Sequence, residues 1–174
     1  MCVLDHTGTI YCWGKDNAGQ LGDGGTLQRT TPIRVDGLGG PTAALFSDNE
    51  VSYAFTRAGS VYRWGRVSLS TSSSSVIADL GSDVESIALG NWHVCAKKTD
   101  GSLWCWHQGL AFDGDTPPVP STTPAAIAEL GTDVARVWTG YKSTCALRKD
   151  GTLWCWGTDL GLSVAPTQIA AGCN

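Results

Sequence analysis

The chain has 174 residues, 42% of them hydrophobic and only 16% charged, with 22 Gly and 8 Trp. That length and apolar content are enough for a real core, while a net charge of −4 without any run of Lys or Arg excludes general nucleic-acid binding. No stretch approaches the roughly 18 consecutive apolar residues of a membrane span, so membrane insertion is not expected.

In chain order, the first element is CVLDHTGTIYCWG from Cys2: a short apolar run, a turn at Gly8 and a second run ending in Trp13. The same unit returns as YAFTRAGSVYRWG from Tyr53, CAKKTDGSLWCWH from Cys95 and CALRKDGTLWCWG from Cys145, with turns at Gly59, Gly101 and Gly151. A period of 42 to 51 residues signals stacked supersecondary units. Each copy reads as a β-hairpin whose three-residue loop ends in a positive-φ Gly. In the fourth, that loop pairs Arg148 with Thr152, sets Cys145 opposite Cys155, and turns Ala146 and Trp154 away from Leu147 and Leu153. Both faces are then apolar, which places the hairpin between two layers.

Between hairpins the chain alternates fixed and elastic parts. Leu38 to Trp64, Leu80 to Trp106 and Leu130 to Trp156 each span 26 positions, so length variation falls after the Trp, as surface loops tolerate. The elastic parts are Gly-rich at 19–25, Ser-rich at 66–75 and Pro-rich at 107–123. Pro32–Val35 and Pro124–Ile127 read as edge strands entered through Pro, where a missing N–H is harmless. Asp83–Gly90 and Asp133–Gly140 read as strands closed by Gly. Ile169-Ala170-Ala171-Gly172 matches the second of these, so the chain is expected to begin and end inside a unit, as a piece of a longer array. Three or four strands per unit at this period match a β-propeller blade.

The pattern resembles the regulator of chromosome condensation repeat. Trp13-Gly14-Lys15-Asp16-Asn17-Ala18-Gly19-Gln20-Leu21-Gly22 is similar to that repeat's tail, and Gly90-Asn91-Trp92-His93-Val94-Cys95-Ala96 to its head. The Gly-Gln-Leu-Gly tail occurs once, and the head His only at His93. The resemblance implies an all-β partial propeller of about three and a half blades out of seven, one domain over 1–174 with units near 1–37, 38–79, 80–129 and 130–174. Members of this family include a nucleotide-exchange factor for a small GTPase, chromatin proteins, ubiquitin ligases and β-lactamase inhibitors, so fold alone does not carry a function.

Cys2/Cys12, Cys95/Cys105 and Cys145/Cys155 are each ten apart, and the second copy replaces both members, with Tyr53 and Arg63. Loss of a pair as a pair fits cross-strand disulfides, and reduced buried thiols are the alternative. Disulfides imply a secreted, periplasmic or surface location, and Cys173 is left over. The spacing is not a zinc pattern, and a lone His93 does not make Cys95 a catalytic thiol. The loop 19–25 lacks the Lys-Ser/Thr of a phosphate cradle. Asp5, Asp100 and Asp150 recur at turns and need no catalytic role.

Binding is expected where the repeat fails to repeat. The residues after Asp48, Gly90 and Gly140 read Asn49-Glu50, Asn91-Trp92 and Tyr141-Lys142, and Trp138 stands where other copies have Phe46 and Ala88. Trp and Tyr are typical binding anchors. The sequence therefore predicts a non-catalytic protein-interaction scaffold, without cofactor or metal, that presents these seven residues to a protein partner. The remaining blades would come from the parent chain or a second copy. Guanine-nucleotide exchange and inhibition of a secreted enzyme are the rival functions.

Overall fold

The computed structural model describes residues 1–47, 51–65, 75–77, 80–91, 93–107, 123–162 and 165–170. Its regular structure is antiparallel strand, apart from single 3-10 turns such as Ala128–Leu130 and Thr158–Leu160. The chain divides into two compact units, Met1–Asp83 and Val84–Asn174, each carrying two sheets.

In the first unit, β1 (Cys2–Leu4), β2 (Ile10–Gly14) and β3 (Arg29–Arg34) form a three-stranded sheet in that order. The second sheet runs β4 (Thr42–Ser47), β5 (Val51–Thr56), β6 (Val61–Gly65) and β7 (Ser75–Val76). In the second unit, β8 (Val84–Leu89), β9 (His93–Lys98), β10 (Leu103–His107) and β11 (Ala125–Ala126) form the third sheet. The fourth is β12 (Val134–Thr139), β13 (Ser143–Arg148), β14 (Leu153–Gly157) and β15 (Thr167–Ala170). Three sheets of four strands and a first sheet of three agree with the expected partial propeller.

The hairpin register follows from turn chemistry. Cys145 pairs with Cys155, Ala146 with Trp154 and Leu147 with Leu153, as the three-residue loop requires. The turn Gly adopts φ +81° at Gly151 and +88° at Gly101. The acidic residue before it accepts the backbone N–H two positions on: Asp100 from Ser102, and Asp150 from Thr152. These bonds hold the turn carboxylates below their ordinary pKa: at Asp150 the Thr152 hydroxyl contributes most, at Asp100 the Ser102 N–H. The turn also docks on the next sheet. The Gly101 carbonyl accepts the Val134 N–H at 3.1 Å, and a Cβ at Gly101 would collide with the Thr132 carbonyl oxygen. Gly8 makes the same contact with Thr42 N at 2.9 Å.

Within each unit the facing sides of the two sheets pack against each other. In the first unit Ile10 and Cys12 of the first sheet meet Ala54 and Trp64 of the second, with Leu21 and Val35 filling between. In the second unit Cys95, Leu103 and Cys105 meet Val134, Ala146 and Trp156. The tail after Trp13 is tied into this packing. Asp16 accepts the Leu21 N–H at 2.9 Å, and the Gln20 carbonyl accepts the Trp64 indole N–H at 2.9 Å. Disulfides join Cys2–Cys12, Cys95–Cys105 and Cys145–Cys155, each with Cα atoms 4.1 Å apart. Cys173 lies outside the described residues.

One local expectation is corrected. Residues 167–170 do not start a new unit; they pair with β14 as the last strand of the fourth sheet. The β14 edge offers backbone groups that need partners, and this segment supplies them.

Candidate functional site

The closing-Gly turns of the third and fourth sheets are two-residue hairpin loops. Gly90 N–H donates to the His93 carbonyl at 2.9 Å, and Gly140 N–H to the Ser143 carbonyl at 2.8 Å. The variable residues therefore fall in these turns: Asn91 in one, Tyr141 and Lys142 in the other. The two turns lie side by side, since a Cβ at Gly90 would fall 2.5 Å from the Gly140 carbonyl oxygen. Only a residue without a side chain permits that approach.

Asn91 is exposed, Tyr141 is 49% exposed, and the Lys142 ammonium lies 5.5 Å from the Tyr141 ring centroid. Trp138, also 49% exposed, belongs to strand β12 rather than to the turn, opposite Cys145. Trp92 lies outside the described residues. So do Asn49 and Glu50 in the first unit, where the flanking Ser47 and Ser52 line a cleft of about 400 Å³ with Lys15 and Gln20.

The Tyr141-Lys142 turn is anchored from below by a residue the sequence reading missed. Asp159, in the 3-10 turn after β14, accepts the Lys142 N–H at 3.2 Å and the Ser143 hydroxyl at 3.0 Å. The signal was present: Trp156-Gly157-Thr158-Asp159 repeats Trp13-Gly14-Lys15-Asp16. Beside Asp159, Leu160 is 49% exposed and widens the apolar surface.

Beneath the turns, His93 Nε2 lies 2.6 Å from the Thr144 hydroxyl, with both residues buried. Burial pushes the imidazole pKa down to about 4, and the Asp159 charge opposes the shift only in part. A neutral, buried His on a buried Thr links two sheets, and neither group reaches solvent to act as base or nucleophile. The unfolded chain takes up the proton near pH 6.5 and the folded one only near 4. Stability is therefore full above pH 6.5 and falls toward pH 4, by about 3 kcal/mol in total. Urea melts across that range should show this slope, and His93→Asn should remove its share of it.

Among the described residues no group of three or more His, Cys, Asp or Glu could hold a metal ion, and no helix is long and apolar enough to cross a membrane. What the arrangement offers is a braced aromatic surface.

A four-stranded antiparallel sheet with a Gly-turned hairpin at its centre, repeated along a chain, is a β-propeller blade, and this is a partial propeller of four sheets, three of them four-stranded and the first three-stranded. Models of the regulator of chromosome condensation (RCC1) repeat match residues 7–45, and 84–106 with 134–159. The chain belongs to the RCC1-repeat family. It is 30% identical over 130 residues to the E3 ubiquitin-protein ligase HERC2 of Homo sapiens, an alignment covering 67% of this chain and 3% of that protein. Human WBSCR16 has a similar fold, with a TM-score of 0.73 at 21% identity over 98% of this chain and 50% of that one. So does Prp20p of Saccharomyces cerevisiae, with a TM-score of 0.67 at 20% identity over 98% and 48%. The chain thus spans about half of these propeller chains and a small part of the ligase.

Proposed function

We propose that this chain is a non-catalytic interaction module that holds a protein partner on the turns following Gly90 and Gly140. Asn91, Trp92, Tyr141 and Lys142 would make the contacts, Trp138 and Leu160 would extend them, and Asn49 and Glu50 would serve the equivalent turn of the first unit. The observation that carries the reading is Tyr141: a large aromatic, half exposed, on a turn whose backbone is fixed by Asp159. A rigid aromatic held in water loses little entropy on binding and gains much from burial.

The similar Prp20p was characterised for its binding to Gsp1p and histones, and yeast RCC1 (Prp20) was solved bound to Kap60, which supports a protein partner for a chain of this fold. The three disulfides favour a partner met outside the cytoplasm. They weigh against exchange on an intracellular GTPase. Inhibition of a secreted enzyme would use the same surface.

The test compares proteins retained from the secreted fraction of the source by the immobilised chain and by Tyr141→Ala. Loss of a hot-spot aromatic should weaken capture by about 2 kcal/mol, roughly thirtyfold, at unchanged melting temperature. Equal retention by both chains would remove the proposal.

A further inference from the structure

Among the described residues Asp16 is the only buried acid, at 1% exposure. One of its carboxyl oxygens, Oδ1, accepts the Leu21 N–H at 2.9 Å; the other, Oδ2, is shielded from solvent and no donor reaches it. The neighbouring cation is committed elsewhere. Arg29 of β3 donates from Nε, at 2.9 Å, and from Nη2 to Oδ2 of Asp23, whose Oδ1 takes the Gly25 N–H at 2.8 Å. An ionised carboxylate oxygen left buried and bare is strongly unfavourable.

What Asp16 meets is Asp23: the two carboxyl groups are in hydrogen-bonding contact. Two ionised carboxylates in contact repel, and Arg29 neutralises only one of them. A single proton removes both faults, because Asp16 then has a hydroxyl to donate while Asp23 keeps the charge that Arg29 holds. Burial accordingly keeps the Asp16 carboxyl above its ordinary value of 3.8, with the Leu21 N–H opposing and the Asp23 charge adding to the rise. Burial raises Asp23 as well, yet Arg29, the Gly25 N–H and the Asp16 hydroxyl together hold it below that value.

The loop that carries the pair, residues 16–25, closes over Trp64. The Gln20 carbonyl accepts the indole N–H, and a Cβ at Gly22 would stand 2.8 Å from the ring carbon Cδ1. From the second sheet the loop is met by Trp64 and by Ser52, whose hydroxyl also donates to the Gln20 carbonyl, and neither carries charge. Lys15, beside Asp16 in the chain, is exposed.

We propose that Asp16 and Asp23 share one proton, and that this carboxyl–carboxylate bond latches the 16–25 loop over Trp64 until rising pH removes the proton. Its removal sets two negative charges against one guanidinium, so the loop lifts and Asp16 hydrates. The sign is opposite to that at His93. The folded chain binds this proton more tightly than the unfolded one, so the stability it contributes is full below 3.8 and is lost as pH rises through the raised value. None of these residues belongs to the binding turns, and the inference is independent of them.

The test is a carboxyl carbon-13 NMR titration of the intact chain, with disulfides formed, from about pH 3 to about pH 9. Asp16 should titrate above its ordinary value and Asp23 below it. Asp16→Asn replaces the hydroxyl by an amide that donates at every pH, and keeps an oxygen for the Leu21 N–H. Its urea midpoint should exceed the parent's by about 0.5 M at about pH 8 and converge on it near about pH 4, His93 being common to both chains. Under the same alkaline condition the Trp64 indole N–H should exchange at least about tenfold more slowly in the Asn variant than in the parent. An Asp16 carbon that titrates at or below its ordinary value overturns the proposal, whether or not the variant folds. So does a midpoint difference that does not change with pH, and so does indole exchange equal in the two chains.

Discussion

Reduction of the three disulfides should unfold this protein at moderate temperature, as a loss of the cooperative thermal transition on addition of reductant. Each bridge closes a loop of about eleven residues, which by chain entropy contributes about 2–3 kcal/mol. Three of them amount to something on the order of 7 kcal/mol, comparable with the whole stability of a typical domain. The bridges replace nothing else in the hairpins they cross: Cys12, Cys95, Cys105 and Cys155 are fully buried, and their reduced forms would still pack as small apolar groups. The effect is thus expected from constraint of the unfolded chain. Thiol titration in denaturant without reductant should find no more than one of the seven cysteines reactive. Reactivity of several would show that the bridges do not form in solution, and the case for an oxidising compartment would fall with them.

The second large effect is expected at Trp64, which is 0% exposed and joins both sheets of the first unit. Trp64→Ala should cost about 3–5 kcal/mol in urea melts, from lost transfer energy and the cavity left behind. It also deprives the Gln20 carbonyl of an indole N–H at 2.9 Å. Trp64→Phe separates the two contributions. It keeps most of the ring volume and should cost only about 1–2 kcal/mol, largely through the hydrogen bond. A Phe variant as damaged as the Ala variant would show that the bond to the tail, rather than packing, holds the two sheets together.

Much of this architecture is legible in the residues because it rests on local rules. A loop such as Lys149-Asp150-Gly151 dictates register, and register dictates which side chains share a face, so Cys145 meets Cys155 without reference to anything distant. Pro32 and Pro124 mark edge strands because Pro cannot donate to a ladder. The bracing of the turn by Asp159 was less visible, since it depends on a 3-10 turn meeting a strand end sixteen residues away in sequence. His93 was visible as a repeat feature, but its bond to Thr144 belongs to the contact between sheets, which no single unit encodes. The segment 167–170 misled because its composition suits one strand position while the nearest free edge belongs to another; pairing obeys proximity as well as pattern.

The docking of the Gly8 and Gly101 turns on the approach to the next sheet bears on how the molecule fails. Because the Gly101 carbonyl caps the amide of Val134, the fourth sheet begins where the third ends, and neither can open at that seam alone. Amide exchange at Val134 should track the opening of its predecessor's hairpin rather than fraying of its own strand. Injury at one turn is inherited by the sheet downstream.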